Sequence, residues 1–65
     1  MNIGENLQKL RLTKTNLTQK ELSKELGIPY STYVKYEQGN IKTIETTRLE
    51  KIKEYFNCSY DDILK

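Results

Sequence analysis

The stretch TQKELSKELGIPYSTYVKYEQG, residues 18–39, leaves this chain few ways to fold. Leu22, Ser23 and Leu26 share one face of a helix. Gly27 ends that helix, because a glycine past the last turn takes the left-handed conformation at little cost. Only Gly27 and Ile28 stand before Pro29, which suits the first position of a new helix. Two helices joined by so short a turn must pack at a large angle, the helix-turn-helix arrangement.

The start of the first of these helices is also written in the residues. Thr18 and Glu21 have the spacing of a capping box, in which the hydroxyl accepts an amide three residues on and the carboxylate reaches back. Leu17 and Leu22 form the matching hydrophobic staple, and Ser23 is small enough to let another helix come close. The same logic predicts three more helices. Ile3, Leu7 and Leu10 mark one face of a helix over about 3–14, with Asn2 as its cap, Glu5 three residues on, and Leu12 off the stripe. Thr46 or Thr47 caps a helix over about 47–56 that carries Leu49, Ile52, Tyr55 and Phe56 and stops at Asn57. Ser59, with Asp62 behind it, opens a short last helix over about 60–64. With 18–26 and 29–38 in the middle, the expected class is all-α: five short helices and no strands, one domain over residues 1–65.

At 65 residues such a domain is near the lower limit for burying a sufficient core. No apolar run approaches the ~20 residues that span a bilayer, and no secretory pattern opens the chain, so the expected location is cytoplasmic. There is no histidine, and Cys58 is the only cysteine. Zinc sites of Cys and His are excluded, as are catalytic pairs with an imidazole base. No phosphate loop or metal-ligand spacing is present either, and short helices leave no sizeable pocket, so neither an enzyme nor a cofactor is expected. Residues 1–42 carry seven Lys/Arg against four Asp/Glu, whereas residues 43–65 carry four against five. The basic excess of the first part is a mild pointer to a polyanion.

Three tyrosines crowd residues 30–36, and helical spacing sorts them. Positions 32, 33 and 36 share one face, so Tyr33 and Tyr36 turn inward with Ile28 before them. Tyr30 falls on the opposite face with Ser31, Val34, Lys35 and Gln38. That face offers a phenol, a hydroxyl, a β-branched apolar group, an ammonium and an amide, without a carboxylate. Such a mixture suits base edges, thymine methyls and phosphates. It also fits a solvated face that happens to include Tyr and Val.

LTQKELSKELGIPYSTYVKYEQG resembles the helix-turn-helix of the Xre/Cro-type phage repressor family. The matching elements are the Leu-Thr-Gln start, the Glu-Leu step, the small Ser23, the Leu-Gly before the turn and the closing Tyr-Glu-x-Gly. IGENLQKLR is similar to the family's first helix, and LEKIKEYFNCSYDDIL to its last two. The resemblance implies a phage-repressor-like DNA-binding domain, bacterial or phage-encoded. It implies that Tyr30, Ser31, Val34 and Lys35 face base edges in the major groove. It places Thr18, Gln19 and Lys20 at backbone phosphates, with Gln19 also bracing the first side chain of the recognition helix. Gln38, Gly39 and Asn40 fall in the segment that touches phosphate just past that helix, and Lys42, in the next loop, is within reach of a phosphate or the minor groove. Arg11 and Glu37 match an ion pair tying the first helix to the third. The chain departs from the pattern by one extra residue between Arg11 and Leu17, by one in the loop 40–47, and by Pro29 where Ser or Thr is usual. A lost cap costs about 1 kcal/mol, partly offset by the preset angle of proline.

Cys58 takes the place of a small buried apolar residue between the last two helices, with no basic neighbour adjacent in sequence to make its thiol reactive. Tyr55, Tyr60, Ile63 and Leu64 exceed what so small a core can hold. Some of them are expected to form an exposed patch, where this family often dimerises. Two-fold pairing would set two recognition helices about 34 Å apart, one turn of DNA. The function implied is a sequence-specific regulator of transcription, a repressor binding a palindromic operator as a homodimer. The alternative is an antitoxin or adaptor that uses the same fold to hold a protein partner, such as a toxin, an antirepressor or a further C-terminal domain.

Overall fold

Short-range chemistry sets two of the helix starts and three of the helix ends. The computed structural model describes residues 3–39, 41 and 43–65; the expected cap at Asn2 lies outside them. Among the described residues the architecture is five helices and no strands: α1 (Ile3–Lys14), α2 (Gln19–Leu26), α3 (Tyr30–Gln38), α4 (Thr46–Phe56) and α5 (Tyr60–Leu64). Thr18 caps α2 with both halves of a capping box, Glu21 N donating to the hydroxyl at 3.1 Å and Thr18 N to the Glu21 carboxylate at 2.9 Å. Ser59 and Asp62 repeat that box at α5. Gly27 and Gly39 close α2 and α3 at φ 70° and 78°, where a side chain is disfavoured, and Asn57 closes α4 at φ 52°.

Two helix starts differ from expectation. Pro29 is the residue before α3 rather than its first, because its ψ of 138° is extended; its carbonyl already accepts from Tyr33 N at 3.0 Å. Neither Thr46 nor Thr47 caps α4. The buried Ile44 anchors the incoming loop, Glu45 stands in the cap position without a side-chain bond, and both threonines fall inside the helix.

The core gathers Ile3, Leu7 and Leu10 of α1, Leu22 and Leu26 of α2, Ile28 of the turn, Tyr33 and Tyr36 of α3, then Ile44, Ile52, Phe56 and Ile63. Leu12 is 62% exposed, as its place off the α1 stripe requires. Leu7, Leu22 and Ile52 are fully buried, and each such side chain contributes about 1.5–3 kcal/mol relative to exposure. Ile63 is fully buried as well, which removes it from the expected surface patch: one turn of α5 aims it into the core while Tyr60 stays outside. Cys58 is only half-buried, and burial, followed by the nearby Asp62 charge, pushes its thiol up, away from the reactive thiolate.

Two of the contacts that hold α1 in place lie in its N-terminal half. Asn6 Nδ2 donates to the Ile63 carbonyl at 2.8 Å, joining α1 to α5. At its N-terminal end α1 meets the backbone of α3. A Cβ on Gly4 would overlap the Glu37 carbonyl oxygen and lie 2.9 Å from that of Tyr36, so only glycine permits this approach.

Candidate nucleic-acid interface

The short turn after α2 sets α3 across the domain with one long side against α1 and α2. Tyr33 and Tyr36 lie on that side, both buried, their rings edge to face at 6.5 Å. Tyr30 is 49% exposed on the other side, beside exposed Ser31, Lys35 and Gln38 and half-buried Val34. The single carboxylate of α3, Glu37, has a side chain only 3% exposed. The outer face of α3 is therefore amphipathic, hydrogen-bonding and cationic, with its one negative charge turned away.

Glu37 is the hub that fixes this orientation. Its Oε2 accepts from Arg11 Nε at 2.9 Å, and its Oε1 accepts from Arg11 Nη2 at 3.3 Å and from Gln19 Nε2 at 3.0 Å. Arg11 Nη1 also donates to the Leu17 carbonyl at 3.1 Å, so one guanidinium ties α1 to α3 and to the residue before the α2 cap. Burial alone would push the Glu37 carboxyl up. The donors from Arg11 and Gln19, with the nearby Tyr33 phenol, outweigh it and hold the group below the usual glutamate range. The bond from Glu37, followed by its charge, drives the Arg11 guanidinium up against its own desolvation. The Tyr33 hydroxyl sits buried beside this pair and makes no hydrogen bond among the described residues. Burial, then the Glu37 carboxylate, pushes that phenol far above its ordinary range.

Of the other residues singled out in the sequence, Thr18 and Lys20 are exposed at the start of α2. Gln19 is half-buried and turned toward Glu37. Asn40 and Lys42 lie outside the described residues. Tyr55 and Tyr60 are each 40% exposed, Tyr55 edge-on to Phe56 and Tyr60 beneath the Lys53 ammonium at 5.1 Å. Leu64 is half-buried. Two participants escaped sequence reasoning. Gly4 carries no signal of its close approach, and Arg48, whose Nη1 donates to the Tyr36 hydroxyl at 3.0 Å, belongs to a helix that pattern alone cannot set against α3.

The arrangement of a capped α2, a glycine turn and an α3 with its carboxylate hidden coincides with a family match. The helix-turn-helix family model HTH_3 matches residues 7–63. The chain belongs to the Cro/C1-type helix-turn-helix family. No curated protein and no solved structure gives a significant match. Cro/C1-type helix-turn-helix domains bind DNA, and membership makes this chain a DNA-binding regulator in general terms. Among the described residues no helix is long and apolar enough to cross a membrane, and no cluster of His, Cys, Asp or Glu could hold a metal ion.

Proposed function

We propose that the chain is a cytoplasmic transcriptional repressor, not an enzyme, that binds a palindromic operator as a homodimer with α3 in the major groove. The outer face of α3, free of carboxylate and held by the buried Arg11–Glu37 pair, carries the reading. Tyr30 and Val34 cover thymine methyls, Ser31 bonds base edges, and Lys35 takes the O6 and N7 acceptors of guanine. Thr18, Gln19 and Lys20 at the start of α2, with Gln38 at the end of α3 and Asn40 and Lys42 after it in sequence, bind phosphate and fix the register. Repression is by occlusion, the dimer covering a promoter or its own control region. Tyr55 and Tyr60, with the half-buried Leu64, supply the self-association surface, without Ile63.

Selection of sites from random duplex DNA, repeated at two salt concentrations, tests this. Recovery of a palindrome with half-sites about one helical turn apart is expected. Sequence-blind binding alone would overturn base reading by α3. A second reading, a module that holds a protein partner, is favoured by the exposed Tyr55 and Tyr60. It predicts an association that survives high salt, whereas DNA affinity falls steeply with it.

A further inference from the structure

Arg48 lies in the first turn of α4, and its guanidinium is held by the phenol of Tyr36, 3.0 Å from Nη1 to Oη. Tyr36 is 5% exposed and wedged against Tyr33, so its hydroxyl is a fixed point rather than a swinging one. The guanidinium carries five N–H donors in a rigid fork, and this bond occupies one of them. Its anchor is neutral. Among the described residues no carboxylate forms an ion pair with Arg48, and Glu45 acts on it only at longer range. An arginine oriented by a neutral hydroxyl keeps its full charge, and the rest of its fork, for an acceptor outside the protein.

The location identifies the acceptor. Tyr36 belongs to the last turn of α3, three residues before Gly39. A recognition helix contacts base edges with its N-terminal residues, so its C-terminal end emerges at the level of the sugar-phosphate backbone. The acceptor there is a phosphate, which an arginine fork matches in charge and shape.

We infer that Arg48 is a DNA-phosphate contact and that the Tyr36 hydroxyl is the positioning group that aims it. The inference rests on α3 being the recognition helix. Its test needs no operator, because phosphate contacts are blind to sequence. Affinity for a mixed-sequence duplex is measured across a salt series for the unmodified chain and for Arg48→Gln, Arg48→Lys, Tyr36→Phe and the double variant Tyr36→Phe/Arg48→Gln. Circular dichroism checks each fold, and Arg48→Lys serves as the probe if the glutamine lowers helix content. Arg48→Gln is expected to reduce the slope of log affinity against log salt by about 0.9, the share of one phosphate. Arg48→Lys restores most of that slope and loses affinity. Tyr36→Phe weakens binding when Arg48 is present and has no effect in the Arg48→Gln background. An unchanged slope in Arg48→Gln overturns the contact, and an equal cost of Tyr36→Phe in both backgrounds overturns the aiming. If the unmodified chain shows no salt-dependent DNA binding, the proposed function itself fails, and this inference with it.

Discussion

Arg11 and Glu37 meet through two hydrogen bonds, 2.9 Å from Nε to Oε2 and 3.3 Å from Nη2 to Oε1, in a seam where their side chains are only 11% and 3% exposed. A pair this enclosed gains little net stability over two apolar side chains of similar volume, but either member alone is an uncompensated buried charge. Its value lies in orientation: it locks the carboxylate of α3 on the inner side, so that the outer side of the helix carries no negative side chain.

Removing one partner is therefore expected to cost far more than removing both. Arg11→Met should lose about 3–5 kcal/mol, a large part of the total for a domain this small. Arg11→Met/Glu37→Met should recover most of that in thermal or urea denaturation, and additive costs would contradict the coupling.

The depressed Glu37 carboxyl sets an acid limit. A group whose folded value lies below its unfolded value contributes stability above the unfolded value, lost as pH falls through the folded one. Stability should thus decline on acidification below about pH 4.3, the ordinary glutamate value. Glu37→Gln should flatten that decline while lowering stability at neutral pH; an unchanged acid limb would assign it to other carboxyls.

Tyr33 sets an alkaline limit with the opposite sign. Its phenol is raised in the folded state, so its contribution is intact below the ordinary tyrosine value of about 10 and is lost as pH rises beyond it. Tyr33→Phe removes a buried hydroxyl that has no partner among the described residues. It should leave stability at pH 7 equal or up to about 1 kcal/mol higher, and soften the alkaline loss. A drop at pH 7 would show that the hydroxyl is bonded in solution.

Gly4→Ala places a methyl against the carbonyl oxygens of Tyr36 and Glu37, which are backbone and cannot turn aside. The helix-propensity gain of about 1 kcal/mol is expected to be outweighed, for a net loss of about 1–3 kcal/mol. Denaturation midpoints decide, and a stabilised variant would mean that α1 can shift along α3.

Lys35→Ala should weaken operator binding by about 1–3 kcal/mol and relax preference at one base pair in each half-site. Affinities for an operator and its single-base variants separate this from a uniform loss, which would make Lys35 a phosphate contact instead.

Much of this molecule is local, and local chemistry is legible in sequence. The capping boxes of Thr18 and Ser59 act within four residues, and the turn at Gly27 within three. Tyr33 and Tyr36 separate from Tyr30 by the period of one helix. Where sequence reasoning failed, the deciding contact was distant or the pattern too short. A five-residue helix has no period to show that Ile63 points inward and Tyr60 outward. Gly4 against Glu37, Gln19 with Glu37 and Arg48 with Tyr36 arise only once the helices have docked, and nothing in their own neighbourhoods announces a partner 33, 18 or 12 residues away.

The Asn6–Ile63 bond, spanning 57 residues, gives the chain the topology of a nearly closed ring. In such a ring the break need not fall between α5 and α1. A linker joining the two ends, with new termini opened in the segment between α3 and α4, would keep each of the five helices whole and every helix pair available, and would lead fused cargo out beside the end of α3.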